Sequence, residues 1–293
     1  MSFKEKYEKI RSLTKLELEL VEQKMTTDIQ IREPLNTSVK NFLISPSKRI
    51  RPVLAILYTK ASNETLTDEQ LELLSVIELI HSASLIHDDI IDNSELRRGN
   101  KTLSAEFDNR LAVISGDYIL ATAMNKLAKL NNSDILINIS KTIAQMCLGE
   151  INQNFDRFKK TTIDEYIKKT KDKTAYLFES ALVCCMLLSK NSHNIENLSK
   201  LGMDIGIAFQ IRDDILNMTE PDASKPVNSD IEEGIYNAPV ILGDEKNNYA
   251  DGIEKTKDLL NNYIKSAKKQ IEILPKNQYK SALEEFLELL NNV

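Results

Sequence analysis

The chain has 293 residues, 42% of them hydrophobic, and a formal charge of −6 spread over 38 basic and 44 acidic side chains of interspersed sign. That length can bury a sizeable core as a single domain over residues 1–293, and without clustered Lys and Arg it lacks the footprint of a nucleic-acid binder. Only eight Gly and seven Pro interrupt a sequence rich in Leu, Ile, Lys and Glu, which predicts an all-α fold.

Residues 3–31 predict an amphipathic charged helix, and Pro34 opens a short second one. Ser45-Pro46-Ser47 breaks the pattern before a helix that runs to about Ser62. Thr67 caps a long helix through Asn93, and Asn93 to Thr102 is predicted as a loop. Helices then resume with breaks near Asn131-Asn132, Thr161-Thr162 and Asn191-Ser192. From Thr219 to Pro239 the composition shifts to Pro221, Asp222, Ser224, Pro226, Asn228 and Gly234, a long loop or set of short helices of the kind that often covers a site. Helical periodicity returns from Asp251, in a tail expected to pack around the rim.

The N-terminus carries both charges and lacks the apolar core of a secretion signal. The longest apolar stretch, Ala181 to Leu188, falls far short of the roughly 20 residues that span a bilayer. At most peripheral membrane contact is expected. Cys147 and the pair Cys184-Cys185 have no metal-ligand or redox spacing and suit a reducing, cytoplasmic setting.

Two aspartate clusters carry the chemistry: Asp88-Asp89-Ile90-Ile91-Asp92 and Asp213-Asp214-Ile215-Leu216-Asn217, each inside an apolar helical stretch. Ionised carboxylates are costly to bury unless a cation compensates them. Helical residues four apart share a face, so Asp88 stands beside Asp92 and Asp213 beside Asn217, two groups of oxygen ligands suited to Mg2+ holding a diphosphate.

Several cations make sense around an anion. Lys48-Arg49-Ile50-Arg51 follows a Ser-Pro-Ser turn at a helix start, where side chains and backbone N–H groups can converge on a phosphate. Arg97-Arg98 lies just beyond the first acidic helix and supplies planar forks for phosphate, or pairs with acids such as Glu95 or Asp108. Lys169, Lys171 and Lys173 cluster before a helix predicted to begin at Thr174, with Lys173 best placed at its positive end. His81 lies two turns before Asp88 on the same face and suits either a pocket-lining donor or a satisfied core histidine, whereas His87 lies off that face and reads as structural. Two acidic sites, basic groups from several helices and an apolar helical interior point to metal-assisted loss of diphosphate from a greasy substrate, in a cavity that excludes water.

These residues resemble the trans-isoprenyl diphosphate synthases, or polyprenyl synthetases, over roughly residues 35–240. The resemblance is carried by Lys48-Arg49-Ile50-Arg51-Pro52, Glu78-Leu79-Ile80-His81 through Asp92, Arg97-Arg98-Gly99, Gly116-Asp117-Tyr118, Lys173-Thr174-Ala175, Phe209 through Asp214, and Lys225-Pro226 with Ser229-Asp230-Ile231. It implies a single-domain helical bundle around a central cavity and a Mg2+-dependent condensation of isopentenyl diphosphate with an allylic prenyl diphosphate. The implied order is ionisation, condensation and proton elimination, with the departing diphosphate as base, in a homodimer.

By the same resemblance Lys48, Arg51, His81 and Arg98 would bind isopentenyl diphosphate. Arg97, Lys173, Thr174, Gln210 and Lys225 would hold the allylic diphosphate. Asp88, Asp92 and Asp213 would coordinate magnesium, with Asp89 and Asp214 as further ligands or supporting partners.

Three positions depart from the family pattern. Asn217 stands where an Asp is usual, Asn237-Ala238-Pro239 replaces Thr-Leu-Pro, and Ile235 stands where Lys is frequent. They prompt a second reading, a partner-dependent subunit of a heteromeric synthase. A terpene cyclase is disfavoured, because it has no need of Lys48, Arg51 and Arg98 for a second diphosphate. Ser84 and Ala83 lie four and five residues before Asp88, where short-chain members carry aromatic blocks, and Ile80 lies a turn deeper. Small side chains there predict a product longer than farnesyl.

Overall fold

The computed structural model describes residues 3–219, 231, 233–247 and 249–293. Its helices are α1 (Phe3–Ser12), α2 (Lys15–Thr27), α3 (Leu35–Ile44), α4 (Ile50–Ala61), α5 (Asp68–Ile91), α6 (Leu103–Glu106), α7 (Asn109–Lys129), α8 (Ser133–Phe155), α9 (Ile163–Thr170), α10 (Tyr176–Leu187), α11 (Ile195–Thr219), α12 (Ala238–Leu242), α13 (Ala250–Ile271) and α14 (Gln278–Leu290). Among the described residues the only strands are β1 (Leu96–Arg97) and β2 (Asn100–Lys101).

Side-chain chemistry sets several of these boundaries. Thr67 and Gln70 form a reciprocal capping box that starts α5, and Thr162 and Glu165 do the same for α9. The single helix expected over residues 3–31 is instead two, broken at Leu13-Thr14. There the Thr14 hydroxyl donates back to the Arg11 carbonyl (2.8 Å), and at the end of α2 the Thr27 hydroxyl donates to that of Gln23 (2.8 Å). Hydroxyls bonding back to the preceding turn compete with continued helix. The expected loop over 93–102 holds a small hairpin, whose turn residues Arg98 and Gly99 both have positive φ (53° and 80°), as tight two-residue hairpins require.

The centre of the bundle is α10, whose residues Leu177 to Met186 are all buried. A helix with no solvent face must be enclosed, and α10 packs against α4, α5, α8 and α11. Two glycines let α11 come close: a Cβ on Gly206 would lie 2.5 Å from the Ala175 Cα, and one on Gly202 would lie 2.5 Å from the Glu179 Cα. That approach brings Gln210, two turns further along α11 than Gly202, level with the segment that enters α10. The tail does more than edge the rim, since α13 packs on α11 and α14 on α4, with Leu260, Ile264, Phe286 and Leu287 in the core.

His193 proves to be part of a latch between distant loops. Glu64 receives hydrogen bonds from Ser189 and His193, the latter at 2.8 Å. Burial alone would raise the Glu64 carboxyl, but bonds from Ser189, Asn191 and His193 outweigh it and hold the group below its ordinary value. A depressed folded-state pKa stabilises above the unfolded value near 4.3 and loses that contribution as pH falls through the folded value. Urea melts at stepped pH are therefore expected to show a shallower acid-side loss of stability for Glu64→Gln than for wild type. Parallel curves would remove Glu64 from the account.

Candidate active site

Two adjoining hollows lie where α5, α8, α10 and α11 converge. The larger, of about 480 Å³, has apolar walls from Ile80, Ala83 and Ser84 on α5, Leu120 on α7, and Ile143 and Met146 on α8. Arg51, His81, Asp88, Glu150 and Lys173 also line it. The smaller, a polar cleft of about 170 Å³, is lined by Asp92, Tyr166, Lys169, Asp214, Glu233 and Ile235, among others. Lys173, Thr174 and Gln210 border both.

A π-helical turn over Lys171–Ala175 joins α9 to α10, so the helix expected to begin at Thr174 begins at Tyr176. Such turns insert an extra residue and recur at functional sites. α8 presses on this turn through Gly149, where a Cβ would meet the Lys173 backbone nitrogen at 3.0 Å. Glu150, the next residue, then pairs with Lys173 at 2.5 Å.

From the turn a hydrogen-bond chain crosses to α11. The Thr174 hydroxyl donates to Gln210 Oε1 (2.9 Å), Gln210 Nε2 donates to Asp214 Oδ1 (2.9 Å), and the Tyr166 hydroxyl donates to Asp214 Oδ2 (2.7 Å). Both oxygens of Asp214 thus accept bonds from within the protein. Tyr166 is buried, and burial and the Asp214 charge drive its pKa well up, so it remains a donor.

The three aspartates expected to matter most differ in setting. Burial raises Asp88 to about 6; Lys173 draws it down, while Glu150 and Asp92 push it up. Asp213 is half-exposed yet crowded enough that burial raises its carboxyl, with Lys48 and Arg212 opposing. Asp89 is 2% exposed and accepts from Arg97 Nε at 2.7 Å.

A second group of cations gathers around His81. Burial, then the charges of Arg51, Arg98, Arg49 and Arg97, hold its pKa well below the usual value, so the ring is neutral. Arg51 lies 4.5 Å from the Phe178 ring centroid, and its buried Nε meets no hydrogen-bond partner among the described residues. Arg98 donates to Ser45 Oγ (3.2 Å). Lys48 Nζ lies 5.2 Å from the Phe3 ring centroid and 5.9 Å from that of Phe209. Arg49 turns inward instead, in a left-handed conformation (φ 51°), to bond Glu78 (3.0 Å) and Glu22 (3.1 Å).

Of the residues singled out in the sequence, Arg51, His81, Asp88, Asp92, Lys173, Thr174, Gln210 and Asp214 line the two hollows. Lys48, Asp89, Arg97, Arg98 and Asp213 do not line them. Arg97 instead pairs with Asp89, a partner the sequence reading did not consider. His87, read as structural, lines the larger hollow. Lys225, with Pro226, Ser229 and Asp230, lies outside the described residues. Sequence reasoning missed Glu150, Tyr166 and the pairing of Arg49 with Glu78; only the capping box before Tyr166 and the glycine before Glu150 hinted at a fixed position.

A divalent cation fits these groups. Carboxylates crowded together in partial burial, as Asp88 is with Glu150 and Asp92, are stabilised in their ionised form by added positive charge. Among the described residues no three His, Cys, Asp or Glu side chains gather around one point. Diphosphate oxygens and water would have to complete the shell, which is the habit of magnesium.

An all-helical bundle that brings carboxylates and cations to the wall of an apolar hollow defines the isoprenoid-synthase class of fold. The polyprenyl synthetase family model matches residues 32–280. The chain is 33% identical to a prenyl transferase of Cyanidium caldarium, over 92% of this chain and 94% of that one. It is also 33% identical to solanesyl diphosphate synthase 1, chloroplastic, of Arabidopsis thaliana, over 82% and 67% of the two chains. The heptaprenyl diphosphate synthase of Staphylococcus aureus superposes with a TM-score of 0.87 at 27% identity, over 96% of this chain and 98% of that one. The chain belongs to the polyprenyl synthetase family and is a prenyltransferase. Enzymes of this family generally depend on a divalent metal. Among the described residues no helix is long and apolar enough to cross a membrane.

Proposed function

We propose that this chain condenses isopentenyl diphosphate with an allylic prenyl diphosphate to give a polyprenyl diphosphate longer than farnesyl. One observation carries the reading: an apolar hollow of about 480 Å³ beside α5 is lined by the small residues Ala83 and Ser84 together with Arg51, His81, Asp88 and Lys173. Solanesyl and heptaprenyl synthases among the relatives support a long product. Those relatives do not favour the partner-dependent subunit prompted by Asn217 and Asn237.

In this reading Asp88, Asp92 and Asp213 hold Mg2+ on the allylic diphosphate. When bound, the metal neutralises charge on the leaving group and so favours its departure. Lys173, Thr174 and Gln210 grip the same diphosphate, with Asp214 fixed behind Gln210 by Tyr166. Arg51, neutral His81, Lys48 and Arg98 orient isopentenyl diphosphate. Its buried setting leaves Arg51 Nε in need of an acceptor, which a phosphate oxygen supplies. The allylic C–O bond breaks, the alkene of the second substrate forms the new C–C bond, and a proton leaves to the departing diphosphate. The apolar walls keep water from the cation.

We further propose that the whole chain acts as one catalytic domain in a reducing, cytoplasmic compartment. Pairing with a second copy would cover Val113 and Ile114 on α7 and Ile137, Leu148 and Ile151 on α8, all exposed apolar side chains. The test is product analysis by mass spectrometry, with purified protein given isopentenyl and farnesyl diphosphates and Mg2+. Product beyond C15 is expected, and its absence from the protein alone would overturn the reading.

Product length is expected to respond at Ala83, which is 2% exposed and borders the hollow. Ala83→Phe fills the tunnel beside α5 and should shift the products to shorter chains. An unchanged distribution would place the growing tail elsewhere.

A further inference from the structure

The three alternating lysines before α10 are sorted by the fold. Lys171 is exposed and does not line the polar cleft. Lys169 ends the penultimate position of α9 and Lys173 lies in the π turn; both line the cleft. The π turn thus leaves both side chains on the wall of one cleft.

Their surroundings differ. Lys173 is drawn toward Glu150 on the side of the larger hollow. Lys169 sits over Tyr166, its Nζ 5.7 Å from the ring centroid, and the hydroxyl of that ring bonds Asp214. The Lys169 ammonium therefore lies over the residue that fixes the acid-bearing wall of the cleft. Among the described residues the other cleft-lining charges, Asp92, Asp214 and Glu233, are all acidic, and Ile235 offers no polar group. A diphosphate bound against those acids is held better by a second ammonium beside Lys173, which Glu150 partly offsets. A flexible stem with three rotatable donors suits that task.

We propose that Lys169 is a second cationic binding residue for the diphosphate of the allylic substrate, acting beside Lys173 in the polar cleft. The inference rests on the prenyltransferase site proposed above. It assigns Lys169 to ground-state grip on the allylic partner, with no part in holding isopentenyl diphosphate.

The test uses the full chain and inorganic pyrophosphate with Mg2+, titrated by calorimetry at fixed ionic strength, beside steady-state kinetics. Lys169→Met should weaken pyrophosphate binding about tenfold, equivalent to roughly 1.4 kcal/mol, and raise KM for farnesyl diphosphate while leaving that for isopentenyl diphosphate unchanged. Lys169→Arg should restore both values, and Lys171→Met, which removes the same charge nearby, should alter neither. If Lys169→Met behaves like Lys171→Met while Lys173→Met loses binding, the assignment of Lys169 is overturned and the site stands. If Lys173→Met also binds normally, the site itself fails and the assignment falls with it.

Discussion

Asp88→Ala should lower turnover by roughly 10²–10³-fold or more, the scale of losing a group that stabilises charge developing in the transition state. The fold should survive the change, and the metal-free variant should be at least as stable as wild type. The sign follows from the pKa. Burial raises Asp88 to about 6, against an unfolded value near 3.9, so the folded state binds the proton more tightly. Stability then declines as pH rises from about 4 to 6, and above that window the ionised carboxylate disfavours the folded state. Alanine removes that cost. Circular dichroism and urea melts in chelator, beside single-turnover rates with Mg2+, separate the two effects. Near-normal turnover would take Asp88 out of the reacting centre, and a collapsed fold would make its role structural.

Breaking the Arg49–Glu78 pair should cost the most stability. Both side chains are at most 3% exposed, and Arg49 also reaches Glu22 and the Leu43 carbonyl. Glu78→Ala leaves a buried guanidinium without its main counter-charge, a loss of about 3–5 kcal/mol by analogy with other buried pairs. The double substitution Arg49→Met with Glu78→Leu should regain much of that, because it removes both charges together. Function offers a second reading of the pair. Arg49 stands between Lys48 and Arg51, so a loosened Arg49 should raise KM for isopentenyl diphosphate more than it lowers kcat. Urea midpoints and the two kinetic constants for each variant decide the matter. A Glu78→Ala protein as stable as wild type would show that the buried pair contributes little.

Local signals in the sequence located the helices well where side chains act on their own backbone. The Thr67 cap, the break at Ser45-Pro46-Ser47 and the periodicity of α5 all act within a few residues, so α5 and its face of His81, Ser84 and Asp88 were legible. The split at Thr14 was not, because a hydroxyl that bonds back to Arg11 competes only weakly with an otherwise helical charge pattern. Partner choice was the larger gap. Arg97 pairs with Asp89, Arg49 with Glu78, Lys173 with Glu150 and Tyr166 with Asp214. All of these join different elements of the fold, and no rule of spacing tells one acid from another at such separations. Composition could say that buried carboxylates need partners; only the packing of α8, α9 and α11 on the π turn says which.

α5 performs three tasks at once: it anchors Arg49 through Glu78, walls the hollow through Ile80 and Ala83, and presents Asp88 to the reacting end. An axial slip or tilt of this one rod would disturb all three together, so it is a poor place to redesign. Ile143 and Met146 on α8 and Leu120 on α7 border the same space without carrying a charge or an anchor. Engineering for a chosen tail length therefore has more freedom on the opposite bank.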